Sequence, residues 1–218
     1  MAVTSTQRPA KPKLRGVFHE VGFYLALALG PVLVLTTDDG RARAAAAVFA
    51  GCVAACFGAS ALYHRPTWRP AARARLAHLD RAGVFMLIGG TYLPFALLVM
   101  SPEWAVPLLS VVWGGALIAI LLGLVWPSAP RPLAAAVALG LGWASVIAFP
   151  QLLKLPLAAI LLVLAGGLLY TGGAIVYMRR RPDPVPQVFG YHELFHVLTV
   201  GAVACQYASI AFFVLPRH

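Results

Sequence analysis

The string HELFH at residues 192–196 sets two imidazoles four residues apart. On a helix that spacing puts His192 and His196 on one face, near enough to bind one metal ion. It also fits the H-E-x-x-H pattern, in which two histidines hold zinc and the glutamate is a metalloprotease general base. Such proteases need a further ligand, usually downstream, and no Asp, Glu or non-terminal His follows His196. The extended pattern fails as well, because Thr199 and Ala202 stand where its glycine and third histidine belong. A third ligand must therefore come from elsewhere in the chain. Two other places offer polar chemistry in apolar surroundings. SALYH at 60–64 sets Ser60 and His64 on one side of a helix, and HLDRAG carries Asp80.

These residues need elements that bring them to one depth. The chain has 218 residues, of which 61% are hydrophobic and 11% charged, against roughly a quarter charged in soluble domains. Seven stretches are long and apolar enough to be read as membrane helices: 17–35, 44–63, 82–100, 104–126, 133–149, 155–178 and 188–215. The predicted fold is all-α, a seven-transmembrane helical bundle over residues 17–215, preceded by a flexible basic tail at 1–16. The first stretch is read as a retained helix, because TTDDGRAR follows it in place of a small-residue cleavage site.

Charge sets the orientation. With the N-terminus cytoplasmic, thirteen Lys and Arg fall on inner segments, among them Arg73, Arg75, Arg81, Arg131 and Arg179 to Arg181. Only Arg41, Arg43, Lys154 and Arg217 fall outside. That asymmetry predicts a multi-pass protein of the cell membrane, N-terminus in and C-terminus out. It also accounts for the formal charge of +10 without a nucleic-acid partner, since basic inner loops favour anionic headgroups. Under this threading Ser60 and His64 end the second span, Asp80 opens the third, and His192 and His196 open the seventh, all at the inner face. Their convergence makes a metal site the leading reading. The plainer alternatives are hydrogen-bonded, partly buried histidines at 192 and 196, an interfacial histidine at 64 and a surface pair of Asp80 with Arg75 or Arg81. Ser60 could equally bond its own helix backbone.

The three cysteines do not join this group. Cys56 precedes His64 by eight residues, about 12 Å along a helix axis, and Cys205 follows His196 by nine, about 13 Å. With Cys52 they are expected to pack as small hydrophobes. The loop at 64–81 is expected to hold a short surface helix. His19 reads as a cap or a snorkelling residue at the start of the first span, and His78 as a loop residue. Trp68, Trp104 and Trp126 fit interfacial anchors.

SALYHRP, LDRAGVFMLIGGTYLPF, LGW at 141–143, GGLLYTGGAIVY and FGYHELFHVLTV together resemble the bacterial hemolysin III family. That family belongs with the progestin and adipoQ receptors, adiponectin receptors among them, and the likeness runs from about residue 15 to 215. The resemblance implies seven helices, a cytoplasmic N-terminus and a Zn2+ ion held by three histidines, which fall on His64, His192 and His196. The family aspartate falls on Asp80, which would hold the water beside the zinc, and its serine on Ser60. Many bacterial relatives carry a histidine where this chain has Gln206, about 15 Å from His196 along the helix, too far to cost a ligand. Glu193 is not a requirement of the family.

Three histidine ligands leave a zinc position open, the arrangement of catalytic sites. The expected activity is hydrolysis of a lipid amide or ester, with membrane lipids as partners and no protein partner implied. Rival expectations are a zinc-stabilised sensor or receptor without turnover, and a cytolytic pore. No charged stripe through a span supports the pore.

Overall fold

The computed structural model describes residues 11–218. Among them the chain is helical, with one isolated bridge between Val185 and Phe189 and no strand. The helices are α1 (Val17–Leu35), α2 (Gly40–His64), α3 (Pro70–Leu98), α4 (Pro102–Val125), α5 (Arg131–Gly142), α6 (Phe149–Leu152), α7 (Leu157–Arg179) and α8 (Tyr191–Ser209). α8 runs on through a wider turn at Ile210–Val214 and a tight one at Leu215–Arg217. Proline at the first helical position starts α3 and α4, and Pro132 at the second position opens α5, where the missing N–H costs nothing. The Asp39 carboxylate starts α2 by accepting from the Ala42 amide at 2.8 Å.

Among the described residues six helices are long and apolar enough to cross a membrane: α1, α2, α3, α4, α7 and α8 with its continuation to Arg217. The fifth expected stretch is shorter. α5 stops at Gly142 and tightens into a turn at Trp143–Val146 before Pro150. A helix broken within apolar surroundings exposes carbonyls that need partners. Tyr92 of α3 supplies them: its hydroxyl contacts the carbonyls of Leu141 (2.9 Å) and Gly142 (2.6 Å) and accepts from the Ser145 amide (2.9 Å). The surface helix expected within 64–81 is instead the first turns of α3, continuous from Pro70. Asp80 thus lies inside a helix of 29 residues.

Helices adjacent in sequence pack on each other, α5 on α7 across the short α6, and α8 returns to α1, which closes a ring. The outer surface carries Leu25, Leu29, Val111, Leu121 and Leu168, all exposed, as a lipid-facing surface would. Inside, α2 and α3 approach to backbone distance. A Cβ on Gly83 would stand 2.9 Å from the Cys56 Cα, and one on Gly90 would meet the Cys52 side chain. Cys52 and Cys56 therefore act as the small packing residues expected of them, and this seam holds the end of α2 against Asp80. Gly83→Ala is expected to cost about 1–3 kcal/mol by forcing the helices apart, read as a lower thermal midpoint in detergent. Gly51→Ala, which faces open space, should stay within about 0.5 kcal/mol of wild type; equal loss in both would dismiss the seam.

Candidate metal centre

Residues far apart in the chain meet where α2 ends and α8 begins. His64 is the last residue of α2, and His192 and His196 occupy the first turns of α8. His64 Nε2 lies 3.1 Å from His192 Nε2. One ligand atom from each of His64, His192 and His196 lies within 4.8 Å of the others. Asp80 Oδ2 stands 3.4 Å from His64 Nε2. It does not pair with its neighbour Arg81, whose guanidinium donates to the Pro127 carbonyl at 3.1 Å and faces His78 Nδ1 at 3.0 Å. Ser60 is buried one turn before His64 on the same cavity wall.

The donor set fits a metal ion. Nitrogens held at 2.0–2.1 Å around a tetrahedral centre stand roughly 3.3 Å apart, inside the observed spread. His196 Nδ1 is buried without a hydrogen-bond partner, a deficit that calls for a further bound species. Imidazole nitrogens suit zinc, copper, iron or nickel, whereas hard cations prefer oxygen. The three histidines could therefore bind a transition metal. Among the described residues the cysteines stay outside the cluster, free and distributed along the helices.

Glu193 plays a different part from the one its motif suggests. It is fully buried, with Oε1 paired to Arg15 Nε and Oε2 accepting from the Gly190 amide at 2.9 Å. The second contact caps α8 next to His192, and the first ties the segment before α1 to α8. Lys13 and Leu14 amides extend that tie to the Gln187 and Val188 carbonyls at 3.0 and 3.1 Å. Gly16, at φ 82°, lets the chain pass His64, where a Cβ would meet the His64 Cβ at 2.7 Å. Residues 1–10 of the expected tail lie outside the described residues. Positive charge crowds this end: Lys11 donates to the Arg65 carbonyl at 2.8 Å, and burial, then Arg65, Arg15 and Arg73, hold its pKa below the ordinary value.

His19 is the residue that sequence reasoning misplaced. Rather than capping or snorkelling, it is 3% exposed and stacks on His196, with ring centroids 3.8 Å apart and planes 5° from parallel. Phe57 covers it from another side at 4.8 Å. Neither nitrogen of His19 has a hydrogen-bond partner. Gln206 lies well along α8 from the cluster, with Nε2 donating to the Val163 carbonyl at 3.3 Å.

From the histidines a cavity of about 1020 Å³ runs along α3 from Asp80 past Phe95, with Leu139, Val163 and Leu164 among its apolar walls. At about 1.5 Å per residue, Asp80 to Phe95 spans about 22 Å.

The family model described as "Haemolysin-III related" matches residues 7–207. The chain belongs to that family. Hemolysin-3 of Bacillus cereus is 29% identical over 139 residues, 63% of this chain and 61% of that one. The Hemolysin-3 homolog of Bacillus subtilis (strain 168) is 29% identical over 136 residues, 62% of this chain and 61% of its own. The matched part of the chain thus spans about three-fifths of the length of each relative. Family membership and the six long apolar helices make this a multi-pass membrane protein.

Replacing His64, His192 and His196 together by alanine should remove bound transition metal from the purified protein, measured by elemental analysis, while Cys56→Ser keeps it. In metal titrations His19→Ala should weaken binding, and His19→Phe, which keeps the stack on His196, should restore it. An unchanged affinity in His19→Ala would reduce the stack to mere packing.

Proposed function

We propose that this protein is a zinc-dependent hydrolase of lipid amides or esters that acts in membrane lipid homeostasis. Its histidine end faces the cytoplasm, and α5 is the short member of seven crossings. One observation carries the reading: a histidine cluster with an adjacent carboxylate opens onto a long apolar cavity among membrane helices. A purely structural metal would need no such cavity, and a soluble substrate would need no such apolar walls.

His64, His192 and His196 are the residues that would hold zinc. Zinc supplies Lewis-acid polarisation of a carbonyl and activation of water near neutral pH. Asp80, beside His64, takes the proton from the attacking water and returns it to the leaving amine or alcohol. Ser60 offers its hydroxyl to the substrate's polar end. The walls along α3, α5 and α7 hold the hydrocarbon chain and keep bulk water from the scissile bond.

The test uses purified protein in vesicles with labelled lipid amides and esters. Asp80→Asn should keep its metal yet lose about 10²–10⁴-fold in turnover, the range for a lost proton-transfer group, and His192→Ala should lose both. Equal turnover in wild type and His192→Ala, or none with metal fully loaded, removes the hydrolase. A second reading rests on the ligands coming from both α2 and α8: a zinc that only fastens them, in a sensor or receptor. Chelation would then lower thermal stability with no turnover to lose.

A further inference from the structure

Two arginine–tyrosine pairs flank the histidine cluster. Arg73, in the first turn of α3, lays its guanidinium 5.0 Å from the centroid of the Tyr63 ring. Tyr63 in turn packs edge-on against His64, centroids 4.6 Å apart. Arg131, which opens α5, lies 5.8 Å from the Tyr177 ring centroid, and Tyr177 packs at 6.0 Å from His192. All four side chains line the cavity that the histidines line. Neither arginine forms an ion pair among the described residues. Arg15 and Arg81 also line it, but their guanidiniums are engaged with Glu193 and with Pro127 and His78. Asp80 is the one carboxylate on that lining.

An aromatic face beneath a guanidinium orients its plane and leaves the N–H edges free. Two such edges, one reached through Tyr63 from His64 and one through Tyr177 from His192, suit a group with several anionic oxygens, which arginine meets bidentately. Away from the histidines the cavity walls are largely apolar. We propose that Arg73 and Arg131 form a clamp for the phosphate head of an acyl lipid whose chains occupy the cavity, with its head at the histidine cluster. The proposal rests on the reading of the cavity as a lipid site. It narrows the ligand from lipids in general to phosphate-headed ones.

The rival explanation is that these arginines only mark the inner side of the membrane. Arg179, Arg180 and Arg181 separate the two, since they follow at the same end of α7 but do not line the cavity. Ligands with ether-linked chains keep binding apart from turnover, because they contain no amide or ester to cleave. Purified full-length protein in neutral detergent is titrated with a dialkyl-ether lipid bearing a phosphate monoester, the same lipid with a hydroxyl head, and inorganic phosphate. Bound lipid is read by native mass spectrometry.

The phosphate-headed lipid should bind at least about tenfold more tightly than the hydroxyl-headed one. R73Q/R131Q should abolish that preference while metal content and thermal midpoint stay at wild-type values, and R179Q/R180Q/R181Q should preserve it. Should R73Q/R131Q not fold, wild type alone decides, since equal affinity for the two lipids overturns the clamp. A preference that survives in R73Q/R131Q, or is lost equally in the Arg179–Arg181 variant, also overturns it. Inorganic phosphate that binds as tightly as the phosphate lipid would make the ligand a free anion and overturn the lipid assignment. Hydrolysis assays do not enter, so the clamp can stand even where the hydrolase reading falls.

Discussion

An ionisable side chain at membrane depth costs several kcal/mol unless something meets it. The polar residues of this bundle are arranged under that constraint. His64 has His192 and Asp80, and Glu193 has Arg15 and the Gly190 amide. His19 and His196 cover each other's ring faces while keeping unpartnered nitrogens. Most of the unpartnered buried nitrogens among the described residues lie beside the three imidazoles that could hold a metal, while Tyr170 and Gln206 each leave a buried oxygen unpartnered deeper in the bundle. Elsewhere the broken backbone after α5 is met by Tyr92, so that irregular stretch is still hydrogen-bonded.

The close α2–α3 seam makes that arrangement possible. Hydrocarbon does not drive helices together as water does, so small residues let backbones approach and gain dispersion contacts. Gly83 lies one turn beyond Asp80 and touches Cys56, two turns before His64. The seam and the Asp80–His64 contact therefore share one register. The same approach leaves room on the other side of α3, where the cavity opens toward α5 and α7.

Much of this was readable in the chain because membrane helices declare themselves through long apolar runs. α1 begins and ends where the apolar run does, and α4 and α7 differ from theirs by a residue or two. The histidine cluster followed from helical spacing and from the side on which each span should end. Three things were not readable. The Arg/Ala-rich loop joined α3, since its composition favours helix and nothing after Pro70 breaks it. The fifth run proved too short for a regular crossing, because periodicity does not reveal where a distant hydroxyl will cap a broken end. His19 was missed because its role depends on the rotation of α1 about its axis, which one histidine among apolar neighbours cannot specify.

The cluster draws its imidazoles from opposite ends of the polypeptide, one at residue 64 and two beyond residue 190. A ribosome feeding this chain into a bilayer places His64 long before its companions exist. A truncated product that stops short of α8 would hold one imidazole of the three and lack the Glu193 anchor for its leading segment. Synthesis of α8 and assembly of the three-histidine cluster are thus the same event, and any metal that the cluster could hold would be retained only by molecules that contain α8.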